Sequence, residues 1–209
     1  MSVLAAGLLL GAGAARARPE SFAVEPEASR IRIELRRSGL LKFLGHDHTI
    51  EAPLAEGRVE ADLSDLRLSR VWLRWDARRL AVVPGTEPAE DVPDVERRMR
   101  GPEVLDVDRH PAIVFRSSAI AGETDGAGLY RLKLRGELEL RGTGRPVELA
   151  LTVRREGDRL SVTGEADLRL RDLGVDPPSV AGVVKVADRF RLRFEVRARR
   201  VPEPPIPGG

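Results

Sequence analysis

Residues 129–170 read LYRLKLRGELELRGTGRPVELALTVRREGDRLSVTGEADLRL, and their alternation decides the fold. Leu132, Leu134, Gly136, Leu138 and Leu140 alternate with Arg131, Lys133, Arg135, Glu137 and Glu139. Val147, Leu149, Leu151 and Val153 follow, and Leu160, Val162, Gly164, Ala166, Leu168 and Leu170 make a third stripe. A period of two sends successive side chains to opposite faces of an extended chain. Each strand is therefore oily on one face and charged on the other, the pattern of an antiparallel sheet that covers something on one side only. Gly142-Thr143-Gly144 reads as the hairpin between the first two stripes and Glu156-Gly157-Asp158 as the next. Glu123 to Gly128 is the loop that leads into this region.

The same period extends in both directions. Ile31, Ile33 and Leu35 alternate with Arg32, Glu34 and Arg36. Phe190, Leu192, Phe194, Val196 and Ala198 are opposed by Arg189, Arg191, Arg193, Glu195 and Arg197. Val71, Leu73 and Trp75 share one face while Trp72 lies on the other, so alternation alone does not say which Trp points inward. Several stripes are long for a sandwich strand. Long, one-sided, meandering strands point to a closed up-and-down barrel, because closure removes exposed edges. Gly136 and Gly164 interrupt apolar stripes, where they permit sharp strand coiling. Only Glu87 to Gly101, EPAEDVPDVERRMRG, breaks the pattern. Asp91 suits an N-cap, Pro93 an early helical position and Gly101 a helix end, with Val95 and Met99 as one apolar edge. A lone short helix between barrel strands is expected to cover one mouth.

Composition narrows the function. The 209 residues suit one domain, with 42% apolar and 33% charged residues, as in a soluble globular chain. Lys+Arg number 35 against 33 Asp+Glu, and aromatics are only 4%, which argues against a nucleic-acid binder on both charge and stacking grounds. The absence of Cys excludes disulfides, Cys-ligated metals and thiol chemistry. Val3 to Ala15 is an unbroken run of Val, Leu, Ala and Gly followed by Ala15-Arg16-Ala17, a small-x-small cleavage pattern. The run is too short to span a bilayer and fits a signal-peptide core, although no Lys or Arg precedes it. Residues 1–17 are therefore read as a signal peptide, 18–200 as the barrel domain and 201–209, rich in Pro and Gly, as a disordered tail. The expected location is periplasmic or secreted.

Few residues suggest chemistry. Gly45-His46-Asp47-His48 would put His46 and His48 on one face of an extended strand, and two imidazoles can ligate Zn²⁺ or Cu²⁺. The chain has only one other histidine, His110, so the plainer reading is that the pair caps a barrel end and hydrogen-bonds backbone or a ligand head group. There is no Gly-x-Ser-x-Gly elbow, phosphate loop or dinucleotide fingerprint. No catalytic residue, metal or cofactor is expected. Arg97, Arg98 and Arg100 could meet an anion at a cavity mouth, but such a run is more often a solvated helix face.

The order of these pieces resembles a known family. Arg100-Gly101-Pro102-Glu103-Val104-Leu105-Asp106-Val107, then Arg109-His110-Pro111-Ala112-Ile113-Val114-Phe115-Arg116-Ser117, resembles a stretch of the YceI-like polyisoprenoid-binding periplasmic proteins. Arg135 to Gly142 is similar to that family's Gly-x-Leu-x-x-x-Gly hairpin, and Arg171-Asp172-Leu173-Gly174-Val175 to its Arg-x-Asp-Phe-Gly-Ile stretch. The chain departs from the family at Val104-Leu105, where the family has a Phe pair, at Arg37, in place of a common histidine, and at Gly45 to His48. The resemblance implies an all-β, lipocalin-like, antiparallel up-and-down barrel of about eight strands with a short helix near one mouth. It implies an exported binding protein that holds a long isoprenoid or quinone-like lipid inside, for transport or storage.

On that expectation Leu138, Leu149, Leu168 and Leu192 line the tunnel and Met99 gates it. Arg37, His46, His48 and Arg97 offer polar contacts at the rim. The expected partner is an isoprenoid-type lipid, with a homodimer and a peripheral membrane contact left open. Two other readings stand beside it: a metal-binding protein or hydrolase centred on His46-Asp47-His48, and a stress-response barrel with a filled core.

Overall fold

The computed structural model describes residues 19–38, 48–180 and 184–202. The expected signal segment, the end of the tail and His46-Asp47 lie outside the described residues. Twelve strands and one α-helix are present among those described. In chain order they are β1 (Glu20–Val24), β2 (Arg30–Ser38), β3 (His48–Glu51), β4 (Leu54–Ala61), β5 (Arg70–Asp76), β6 (Ala81–Val82) and α1 (Val92–Arg100). Then come β7 (Ala112–Thr124), β8 (Leu129–Leu140), β9 (Thr143–Glu156), β10 (Arg159–Arg169), β11 (Ser179–Val180) and β12 (Val184–Arg200).

Eight of them close a ring in the order β1-β4-β5-β7-β8-β9-β10-β12, with β12 pairing back to β1. All pairings are antiparallel, as the one-sided stripes require. Three of the four extra strands lengthen the first three staves, and the fourth, β11, pairs with β12. Both β1 and β2 lie along one edge of β12, β1 on Ala198–Arg200 and β2 on Lys185–Glu195, parted by a single turn at Pro26–Ala28. In the same way β3 continues β4, and β6 continues β5 past a turn at Ala77–Arg79.

The hairpins follow local chemistry. Glu156 pairs with Arg159, leaving Gly157-Asp158 as a two-residue loop with Gly157 at φ 61°. Between β8 and β9 the loop is Arg141-Gly142, one residue earlier than Gly142-Thr143-Gly144, because Leu140 pairs with Thr143 and both loop residues take positive φ, 52° and 69°. That is the geometry of a type I′ turn, which favours Asn at its first position, whereas Arg there is strained. Arg141→Asn is expected to stabilise the protein by about 1 kcal/mol, raising Tm by roughly 2–4 °C. A thermal melt that leaves Tm unchanged or lower would contradict this.

The charged outer stripes are cross-strand pairs. Arg116 meets Glu139, Arg135 meets Glu148, and Arg191 meets Asp167 at 2.9 Å. Each is exposed and screened by water, so its contribution to stability is small. They fix register and solubility, and the core supplies the stability.

Buried apolar side chains gather at both ends of the barrel. Phe22, Val24, Leu160, Val196 and Ala198 fill the end where β1 begins. Ile50, Leu54, Leu80, Val82, Leu105, Val107 and Val175 fill the other. Helix α1 docks at this second end through Val92, Val95 and Met99. The Glu96 carboxylate accepts from the Val82 N–H at 3.0 Å, and Arg100 donates to the Leu80 carbonyl at 3.0 Å. Asp91 occupies the N-cap position without a side-chain cap bond, and Gly101 ends the helix in an extended conformation. Trp75 is the inward Trp, because its register partners are Leu54 and Ile113, both buried. Both inward glycines sit beneath aromatic rings: a methyl on Gly136 would fall 2.4 Å from Phe115, and one on Gly164 the same distance from Phe194.

Candidate functional site: the barrel cavity

Between the two packed ends the barrel is hollow. The cavity measures about 320 Å³, inside the range of about 300–1,000 Å³ usual for small-molecule sites. It is about twice the volume of an engineered cavity that takes benzene. Its walls come from nearly every stave: Ile33 and Leu35 of β2, Leu73 and Trp75 of β5, Leu138 of β8, Leu149 and Leu151 of β9, Leu168 of β10, and Leu192 and Phe194 of β12. These side chains share the inward parity of buried core residues, yet most are only half-buried. Leu149 and Leu168 line the cavity without packing against the buried core. An inward apolar side chain short of neighbours forgoes dispersion contacts that a filling ligand would supply.

Among the described residues the one charged lining residue is Arg155, and it is already paired: its Nη2 donates to Glu20 at 2.9 Å and its Nε to the Gly157 carbonyl. The cavity therefore presents almost nothing but hydrocarbon. The displaced acidities in the protein lie elsewhere, on the outer surface. The Arg78 guanidinium bonded to Asp76 lowers its carboxyl, Arg135 lowers that of Glu148, and the Ala127 and Leu129 N–H groups lower that of Asp125. None of these three carboxylates lines the cavity. A wider concavity of about 1070 Å³ lies on the outer wall, lined by Arg32, Arg131, Lys133, Glu165, Arg193 and Glu195 among others. Several of these charges pair with one another or with neighbours, as Arg193 does with Glu165 and Glu34 and Arg32 with Glu51. Its lining mixes these charges with apolar groups, Leu132, Leu151 and Phe194 among them, which also line the inner cavity.

The sequence-predicted residues fall as follows. Leu138, Leu149, Leu168, Leu192 and Met99 all line the cavity, with Met99 reaching it from α1. Arg97 is outside the cavity lining, exposed and paired with Asp94 at 2.7 Å. Arg37 lies on β2 opposite Val186, and His48 opens β3 opposite Leu35, while His46 is outside the described residues. No group of three metal-ligating side chains occurs among the described residues. Val104 lines the cavity and Leu105 is buried beside it.

Sequence reasoning missed Arg145. It is the register partner of inward-facing Leu138, so it occupies the apolar parity of β9. Its Nε is buried without a hydrogen-bond partner, and its guanidinium lies 3.1–3.5 Å from where a side chain at Gly174 would begin. The signal was present as an Arg two residues before Val147 on the same face. The Trp75 Nε1 is also buried without a partner.

A family model described as "YceI-like domain" matches residues 22–198. No curated protein matches the sequence. Among solved structures, the chain is similar to BcnA of Burkholderia cenocepacia, at 17% identity and a TM-score of 0.62, over 83% of this chain and 98% of that one. It is also similar to a YCEI protein of Campylobacter jejuni, at 12% identity and a TM-score of 0.51, over 70% and 81% of the two chains. A Campylobacter jejuni variant crystallised with a monobromobimane guest has the same identity, coverage and score. At these identities the likeness concerns the fold.

Proposed function

The chain belongs to the YceI-like family of binding barrels, and from that premise we propose that it carries one long apolar chain, of the isoprenoid or quinone type, inside the barrel. The observation that carries this reading is a hollow of about 320 Å³ whose wall side chains are inward-facing, apolar and only half-buried. A described lining that is apolar but for Arg155, Ser69, Tyr130 and the Trp75 N–H suits a chain without polar groups along its length. Burying each CH₂ contributes about 0.8 kcal/mol, so a few prenyl units offset the cost of association with little polar help. Binding and release are the whole task in this reading, and no reaction step is assigned. The apolar run at Val3 to Ala15 supports export, which would place the carrier in the periplasm between lipid surfaces.

Protein purified under mild conditions from several hosts and extracted into organic solvent is expected to yield about one apolar, chain-like molecule per barrel by mass spectrometry. Extracts that contain none, from every host, would count decisively against the proposal. Export is checked separately: a fusion of the full chain is expected in the periplasmic fraction shortened by about the first 17 residues, and an unprocessed cytoplasmic product would overturn that part.

A further inference from the structure

We propose that the cavity opens sideways, through a gap in the barrel wall between β9 and β10, and that Arg145 at the end of this gap receives an anionic head on the bound chain. The inference rests on the binding function proposed above and adds to it a route and a ligand class. Pairing between β9 and β10 covers only Leu151–Glu156 against Arg159–Gly164. Beyond Gly164, β10 stays in register with β12 as far as Arg169, and β9 from Thr143 to Ala150 stays paired with β8. Two strand segments therefore run on with one ladder each and, among the described residues, no partner between them.

Unpaired edges facing each other in an otherwise closed barrel are costly unless the fold uses the opening. The position of the break agrees with a use. Gly164, where pairing stops, is the glycine beneath Phe194, itself a cavity wall. Continuing the register past it would set Ala166 opposite Leu149 and Leu168 opposite Val147. Leu149 and Leu168 are among the cavity residues that do not pack on the core, as are Leu63, Leu66, Tyr130 and Phe190. The hollow thus reaches the wall at the place where the wall is unlaced.

Arg145 lies at the far end of the gap. It projects from β9 on the inward parity and reaches the Gly174 turn, which follows β10, so its side chain spans the opening. A buried guanidinium N–H without an acceptor is a cost that an arriving carboxylate or comparable anion would remove, with charge-assisted hydrogen bonds. The geometry fits a chain that slides in sideways with its head toward Arg145.

Two measurements test this, with cis-parinaric acid and its methyl ester as probes and energy transfer from the protein's Trp residues as the signal. The chain has no native Cys, so Leu149→Cys with Ala166→Cys can be bridged by a short cleavable bismaleimide. Relative to the same variant before bridging, loading of both probes is expected to slow at least tenfold and to recover when the bridge is cut. An unchanged rate in protein shown by mass to be bridged would overturn the side entry. Arg145→Leu is expected to lower the preference for acid over ester about tenfold, with Arg145→Lys retaining part of it. An acid-to-ester ratio equal to that of the unaltered protein would overturn the head-group contact. Failure of the unaltered protein to bind either probe would instead remove the binding function on which both parts stand.

Discussion

Leu192→Trp is expected to abolish binding of apolar chains while leaving the fold intact. Leu192 stands mid-wall on β12, between Ala166 of β10 and Ile33 of β2, with its side chain on the cavity. In a filled core a larger residue forces strain of about 1–3 kcal/mol. Here the indole has space to enter, and that space is what the ligand would occupy. Affinity for a fluorescent apolar probe is expected to fall at least 100-fold, about 2.8 kcal/mol, with Tm within roughly 2 °C of the unaltered protein. Equilibrium titration and a melt on the same sample decide it. Undiminished affinity would put the ligand elsewhere. A large fall in Tm would mean that the site was already full.

Gly136→Ala is expected to have the opposite signature, a large loss of stability. The added methyl would lie 2.4 Å from the Arg116 carbonyl oxygen and 2.4 Å from the Phe115 ring. The carbonyl belongs to β7, and its ladder to β8 is already bulged beside this point, between Ser117 and Ala119. Neither neighbour can yield cheaply: moving the carbonyl breaks sheet pairing, and moving Phe115 disrupts a core side chain that is 3% exposed. A cost of about 3 kcal/mol, or roughly 6–12 °C in Tm, follows from overpacking against backbone. Denaturant unfolding that shows a change below about 1 kcal/mol would contradict the close approach.

The contrast between these two inward positions explains what the sequence could and could not reveal. Both lie on the same alternating stripes, and alternation reports only which face a residue takes. It therefore located the strands, the hairpin around Glu156-Gly157-Asp158 and the lone helix. It gave the inward set, Leu138, Leu149, Leu168 and Leu192 included, because period two is a local property. Whether an inward residue meets a neighbour or a void depends on how distant strands close, and no local pattern encodes that. The lacing of β12 to both β1 and β2, and the gap between β9 and β10, are non-local for the same reason. The turn at Arg141-Gly142 was misplaced by one residue because Arg seldom takes positive φ, so Gly142-Thr143-Gly144 looked the better loop. Trp75 was separated from Trp72 only by its partners Leu54 and Ile113. Arg145 was overlooked because a charge on an apolar stripe reads as the end of the stripe. Its meaning depends on the Gly174 turn across the gap.

The central claim is that an apolar chain fills the barrel, and a crystal structure of the protein purified without any lipid-stripping step tests it most directly. Elongated density running along Leu149, Leu168 and Leu192 toward Trp75, too long for solvent and without polar branches, is the predicted result. A cavity closed by its own side chains, with Leu149, Leu168 and Phe194 packed against one another and no space between them, would contradict it.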